Sequence, residues 1–188
     1  MAEDQKQEFW KDKLTGTKTE QNLHTALSAE SQAYLRYRWF EGQAKRDGYV
    51  SVSRLFAATA ENEREHAEIW FRLLGGWGTT EQNLNVAADG EHFEWETMYD
   101  EFAATAREEG LTSIAELFER VAQIEREHEK NYRGKLSELQ GGSAFSSDSD
   151  STLWICLNCG YVVSGKQPPA VCPVCSHAQG WFTRKQQG

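Results

Sequence analysis

Between Thr19 and Leu139 apolar residues recur every three or four positions, as in Leu23, Ala26, Leu27, Tyr34, Tyr37 and Phe40. This is the period of helices that bury one stripe. Glycine-centred stops at Asp47-Gly48, Gly75-Gly76-Trp77-Gly78 and Glu109-Gly110 divide the run, because glycine takes the left-handed backbone that ends a helix. The pattern predicts four long helices, at about 19–46, 50–74, 80–108 and 112–139. Trp39, Trp70 and Trp95 are expected in the core, where aromatic residues at helical spacing usually lie. Residues 141–151, rich in glycine, serine and aspartate, have too little apolar surface to offset the entropy of ordering and read as a flexible linker. Beyond them all four cysteines and all three prolines crowd into Trp154–Phe182. The expected domains are a mainly α helical domain at 1–140, the linker at 141–151 and a small metal-held domain at 152–188.

The helical region is one hairpin written twice. Thr19-Glu20-Gln21-Asn22-Leu23 returns as Thr80-Glu81-Gln82-Asn83-Leu84, and Glu63-Arg64-Glu65-His66 returns as Glu125-Arg126-Glu127-His128. Residues three apart share a helix face, so Glu63 with His66, and Glu125 with His128, can direct a carboxylate and an imidazole to one ion. With Glu30 matched by Glu91, each copy offers Glu, Glu and His, an oxygen-rich set that suits a pair of iron or manganese ions. Ferritin-like dinuclear carboxylate bundles use one glutamate from each of two helices and Glu-x-x-His from each of the other two. Glu30, Glu63, His66, Glu91, Glu125 and His128 fill that pattern.

The copies are out of step by one residue. Glu30 and Glu91 are 61 apart, whereas Tyr37 and Tyr99, like Glu63 and Glu125, are 62 apart. A helix absorbs such an insertion as a wide π turn, a feature frequent at functional sites, and here it falls near Glu94. That residue either aims a further carboxylate at the site or is an exposed glutamate. Tyr37 and Tyr99 either orient a metal-binding carboxylate through their phenols or pack in the core. Glu20, Glu65, Glu81, Glu127 and Glu129 read as solvated charges, and His24, His92 and His177 lack a repeat partner and receive no role.

A net charge of -9 opposes binding to nucleic acid or an anionic membrane surface. No apolar run is long enough to span a membrane. The N-terminal stretch, with Glu3, Asp4, Lys6 and Glu8, lacks signal-peptide character, so a cytoplasmic location is expected. Cys156-x-x-Cys159 and Cys172-x-x-Cys175 have the spacing of a four-thiolate site in a reducing compartment. Zinc or iron can fill it.

Cys156-Leu157-Asn158-Cys159-Gly160-Tyr161 and Cys172-Pro173-Val174-Cys175, with Trp154 before them, look like rubredoxin. A ferritin-like four-helix bundle followed by such a domain resembles the rubrerythrins. The likeness rests on Ala29-Glu30-Ser31-Gln32-Ala33, Glu63-Arg64-Glu65-His66-Ala67, Gly90-Glu91-His92-Phe93-Glu94, Met98-Tyr99 and Glu125-Arg126-Glu127-His128. Ala29 stands where that family often has glycine. The resemblance implies a di-iron site held by Glu30, Glu63, His66, Glu91, Glu94, Glu125 and His128, and a single iron held by Cys156, Cys159, Cys172 and Cys175. It also implies that one iron exchanges Glu94 for His66 on reduction. Glu94 and His66, with Tyr37 and Tyr99 beside them, are then the expected catalytic residues. The implied activity is a peroxidase that reduces hydrogen peroxide to water in oxidative-stress defence. No dinucleotide-binding glycine turn is present, so electrons would come from a separate NADH-linked reductase.

In such a bundle the second and third helices run parallel, and about 24 residues at 1.5 Å each make a span of about 35 Å. Gly75–Thr79 reaches at most about 18 Å. Either the third helix unravels to about Gly90, or it continues into a neighbouring subunit. The helical repeat at Thr80–Leu84 favours a homodimer that swaps domains between the second and third helices. The rival readings are a ferroxidase or iron-handling protein, an oxygen reductase, and a zinc-stapled interaction module.

Overall fold

The computed structural model describes residues 13–185, and the acidic N-terminal stretch containing Glu3, Asp4, Lys6 and Glu8 lies outside them. The chain forms two compact units, one ending at Gly78 and the other starting at Thr79.

The first unit is a hairpin of α1 (Lys18–Arg46) and α2 (Val50–Leu73). α1 starts where the Thr17 hydroxyl accepts the Glu20 backbone N–H at 3.1 Å, satisfying one of the free donors of the first turn. It ends at Gly48, whose φ of 84° allows the Tyr49 N–H to turn back onto the Ala44 carbonyl at 2.9 Å. The second unit repeats this corner. There Gly110 has a φ of 77° and the Leu111 N–H reaches the Ala106 carbonyl at 2.7 Å.

In the second unit α3 (Thr80–Phe93) opens with a reciprocal cap between Thr79 and Gln82. It passes into a π turn, Glu94–Met98, then α4 (Tyr99–Glu108) and α5 (Thr112–Gln140). The third predicted helix is thus divided where the repeat offset placed the extra residue. Its wide turn is closed by the Tyr99 N–H on the Glu94 carbonyl, five residues back.

Small side chains let the helices of each hairpin approach closely. Ala103 and Ala106 on α4 pack with Ala115 and Phe118 on α5, and buried Ser53 sits at the repeat position of Ala115. An aromatic triad closes each copy. Tyr37, Phe40 and Phe56 have ring centroids 5.5 to 6.4 Å apart, and Tyr99, Phe102 and Phe118 are 5.6 to 6.3 Å apart. The core expectation fails for Trp39, which is 65% exposed. It holds in part for Trp70 and Trp95, which are half-buried.

The second unit continues into a three-stranded antiparallel sheet ordered β2-β1-β3, with β1 at Leu153–Cys156, β2 at Val162–Ser164 and β3 at Phe182–Arg184. Trp154, Cys156, Cys172 and Phe182 form its core. Arg184 ties this sheet to the end of α5. Its guanidinium lies over the Trp154 ring at 5.4 Å, pairs with Glu138 at 2.7 Å, and donates to the carbonyls of Ser143 and Ser146 at 2.8 and 2.7 Å. Two of those acceptors belong to the segment 141–151, and the Ser147 N–H also meets the Lys166 carbonyl at 2.8 Å. Among the described residues no helix is long and apolar enough to cross a membrane.

Because Ala115 is fully buried against Ala103 and Ala106, Ala115→Leu should overpack the corner and cost about 1–3 kcal/mol. A thermal melt should show a midpoint lowered by several degrees.

Candidate metal centres

Each hairpin gathers one glutamate from its first helix and a Glu-x-x-His pair from its second. In the first unit the donor atoms of Glu30 on α1 and of Glu63 and His66 on α2 all lie within 4.8 Å of one another. His66 Nδ1 is 2.9 Å from Glu63 and 3.9 Å from Glu30. In the second unit Glu91 on α3 joins Glu125 and His128 on α5 within the same limit. His128 Nδ1 is 2.6 Å from Glu125 and 3.5 Å from Glu91. The carboxylates are partly buried, whereas both imidazoles are about half exposed.

Crowding has an electrostatic cost that shows at the lone glutamates. Burial, followed by a hydrogen bond and repulsion from Glu63, raises the Glu30 carboxyl above its ordinary range. Burial and the charge of Glu125 do the same for Glu91. Burial also raises the Tyr99 phenol, helped by the negative charges of Glu94, Glu125 and Glu91. Glu94 itself is partly buried on the π turn and lies outside the Glu91, Glu125 and His128 cluster. Tyr37 is half-buried within its aromatic triad.

The knuckle brings the four cysteine sulfurs within 4.8 Å of one another. Cys156 and Cys175 are 3.7 Å apart, as are Cys159 and Cys172. The His177 backbone N–H favours the Cys175 thiolate and brings that thiol down to about 6. The Tyr161 N–H acts likewise on Cys159, but desolvation and the neighbouring sulfurs outweigh it and push that thiol up to about 12. Four thiols this close are rendered compatible by a cation that deprotonates them all. The donor chemistry fits one iron in the tetracysteine knuckle and, from the two carboxylate and histidine sets, a di-iron pair.

Sequence reasoning missed one group. Glu129, read as a solvated charge, is only 13% exposed. It accepts hydrogen bonds from the Trp95 indole at 2.6 Å and Arg133 at 2.6 Å, and His92 Nδ1 lies 3.2 Å away. Arg133 foremost holds its carboxyl down at about 2. The available signal was that His92 has no counterpart in the first copy.

A family model described as "Rubrerythrin" matches residues 21–136, and one described as "Rubrerythrin, rubredoxin-like domain" matches residues 154–183. The chain is 41% identical over 182 residues to the rubrerythrin of Porphyromonas gingivalis, covering 90% of each chain. It is 42% identical over 182 residues to the rubrerythrin of Nitratidesulfovibrio vulgaris, covering 90% of this chain and 95% of that one. A solved structure titled "Partially Reduced State of Nigerythrin" shares 28% identity over 90% of this chain and 87% of its own, with a TM-score of 0.33.

A carboxyl raised on folding contributes stability that is full below its unfolded pKa and is lost as pH rises through the folded value. Burial and Glu125 raise Glu91 in this way, so Glu91→Gln should raise the melting temperature of the metal-free protein by a few degrees near neutral pH. The gap between variant and parent should close toward pH 4, as followed by calorimetry across that range.

Proposed function

Because this chain belongs to the rubrerythrin family, we propose that it reduces hydrogen peroxide to water at a di-iron centre and draws replacement electrons through its four-cysteine knuckle. The family comprises di-iron, rubredoxin-type oxidoreductases of the oxidative-stress response, generally homodimers that use a redox partner. The observation that carries the reading is the presence in one chain of two Glu, Glu and His sets and a four-thiol knuckle. Peroxide reduction consumes two electrons and two protons for two waters formed. Bound by the carboxylate and histidine sets, a pair of iron ions would supply both electrons and Lewis acidity toward peroxide.

The protein's own groups do the rest. Glu30, Glu63, Glu91 and Glu125 would offset the positive charge of the bound ions. Glu94, on the π turn, and His66, half exposed on α2, would be the two alternative donors to one of the ions. Tyr99, near enough to Glu94, Glu125 and Glu91 to feel their charge, would orient a carboxylate of its set, and Tyr37 is its counterpart in the first copy. Cys156, Cys159, Cys172 and Cys175 would hold an iron that supplies one electron at a time, and a separate NADH-linked reductase would be the source of those electrons. A cytoplasmic setting suits four cysteines kept as metal ligands rather than disulfides.

A domain-swapped homodimer accounts for two further features. α3 is helical from Thr80, so the unravelled alternative for the short connection loses its support. Each hairpin also exposes the same apolar positions: Phe40 and Phe102, Val52 and Ile114, and Leu55 at 64% with Leu117 at 58%. Repeated apolar stripes of this kind mark a surface that associates. In the swapped dimer the first hairpin of one chain completes its site with the second hairpin of the other.

Anaerobic mixing of the fully reduced, iron-loaded protein with hydrogen peroxide should oxidise the tetrathiolate iron rapidly, read from its visible bands. His66→Ala or Glu94→Ala should slow this by at least the roughly 10–100-fold that even outer ligands of a metal site control. Fast oxidation by oxygen with slow oxidation by peroxide would instead identify an oxygen reductase or ferroxidase. The swap has its own test: mixing Glu63→Ala and Glu125→Ala chains, each inactive alone, should restore about a quarter of parental activity, because each heterodimer regains one intact site. Without exchange of hairpins no activity returns.

A further inference from the structure

A π turn is rare and unfavourable relative to a regular α turn, so something must hold the one at Glu94–Met98 in place. An extra residue in a helix is free to migrate, and each step turns the residues it passes by about 100° relative to the helix on the other side. The side chains that would register such a step are His92, before the wide turn, and Trp95, within it. Both meet the same oxygen, Oε2 of Glu129 on α5, at 3.2 and 2.6 Å.

The network around that oxygen is dense. Arg133 donates to the other Glu129 oxygen at 2.6 Å and to Asp89 on α3 at 3.1 Å. His92 Nε2 lies 2.6 Å from Glu96, and the imidazole meets the Trp95 ring edge-on with centroids 5.2 Å apart. The Arg126 guanidinium covers the Trp95 ring at 5.3 Å. Residues before the wide turn, Asp89 and His92, and residues within it, Trp95 and Glu96, are therefore joined to one carboxylate and its flanking arginines on α5.

The first hairpin provides the comparison. At the repeat positions of His92, Glu129 and Arg133 it carries Ser31, Ala67 and Phe71, and its α1 runs without a π turn from Lys18 to Arg46. The network and the insertion occur together in one copy and are both missing from the other. We propose that Glu129 is a positioning residue that fixes where the π turn sits, and thereby holds Glu94 near Tyr99, in the place from which it would exchange with His66. This deepens the reading of Glu94 as an exchangeable donor and rests on it.

Hydrogen exchange of the full-length, metal-free protein, read by mass spectrometry over peptides spanning Glu94–Tyr99, tests the pin without reference to peroxide. Glu129→Ala and Trp95→Phe should each speed exchange in that segment by about tenfold, the order expected from losing a charge-assisted hydrogen bond. Glu129→Gln, which keeps an acceptor for the indole, should recover part of the protection. Exchange in α1 and α2 should not change. Unaltered exchange in the π turn would overturn the proposal, as would an equal rise along all of α3, α4 and α5, which would mark plain destabilisation. In the loaded protein, Glu129→Ala added to Glu94→Ala should produce no further change in the cobalt(II) absorption spectrum. A further change would show that Glu129 acts on the metal set by a route other than Glu94. If the π turn loosens as expected while peroxide reduction is absent, the pin stands and the peroxidase reading falls.

Discussion

Carboxylates packed together repel, and a chain that packs them twice must either keep a proton among them or hold a cation. Both hairpins face this constraint with the same parts, and in both the lone glutamate carries the burden, raised by burial and by its neighbour. The fold is organised to withstand that repulsion. Helices supply the rigid three-residue spacing of the Glu-x-x-His pairs. Alanine-lined crossings and glycine corners fix each pair against the glutamate on the preceding helix. The donors of each set are already gathered, and a bound cation would relieve the repulsion among them.

Much of this arrangement follows from sequence periodicity because the ligands repeat. The two Glu, Glu and His sets sit on helices whose stops are written in glycine, and the one-residue change of offset locates the wide turn at Glu94. Two C-x-x-C pairs define the knuckle just as directly. Other features rest on contacts that no spacing encodes. Glu129 looks like any charge on an acidic helix until Trp95 and His92 are brought to it from another helix. Trp39 belongs to the helical stripe by period yet is exposed, since a stripe records which face is apolar and not what covers it. The hydrogen bonds from Arg184 to residues 143 and 146 are equally invisible in a run of serines and aspartates.

The differences between the copies are as informative as their likeness. Duplication alone would give two equivalent sets. The second copy has instead acquired an insertion, an additional glutamate and a network of its own, so the halves are no longer interchangeable. The second set is accordingly bordered by a wide turn and a charged network that the first set lacks.

Arg184 has a consequence for how the small sheet is held. A domain on a loose tether samples many positions, set by the tether's length. Here one guanidinium grips the sheet, the end of α5 and the strand of serines between them. One side chain thus braces the knuckle sheet against the helix that carries Glu125 and His128, so a change at Arg184 would be felt by both.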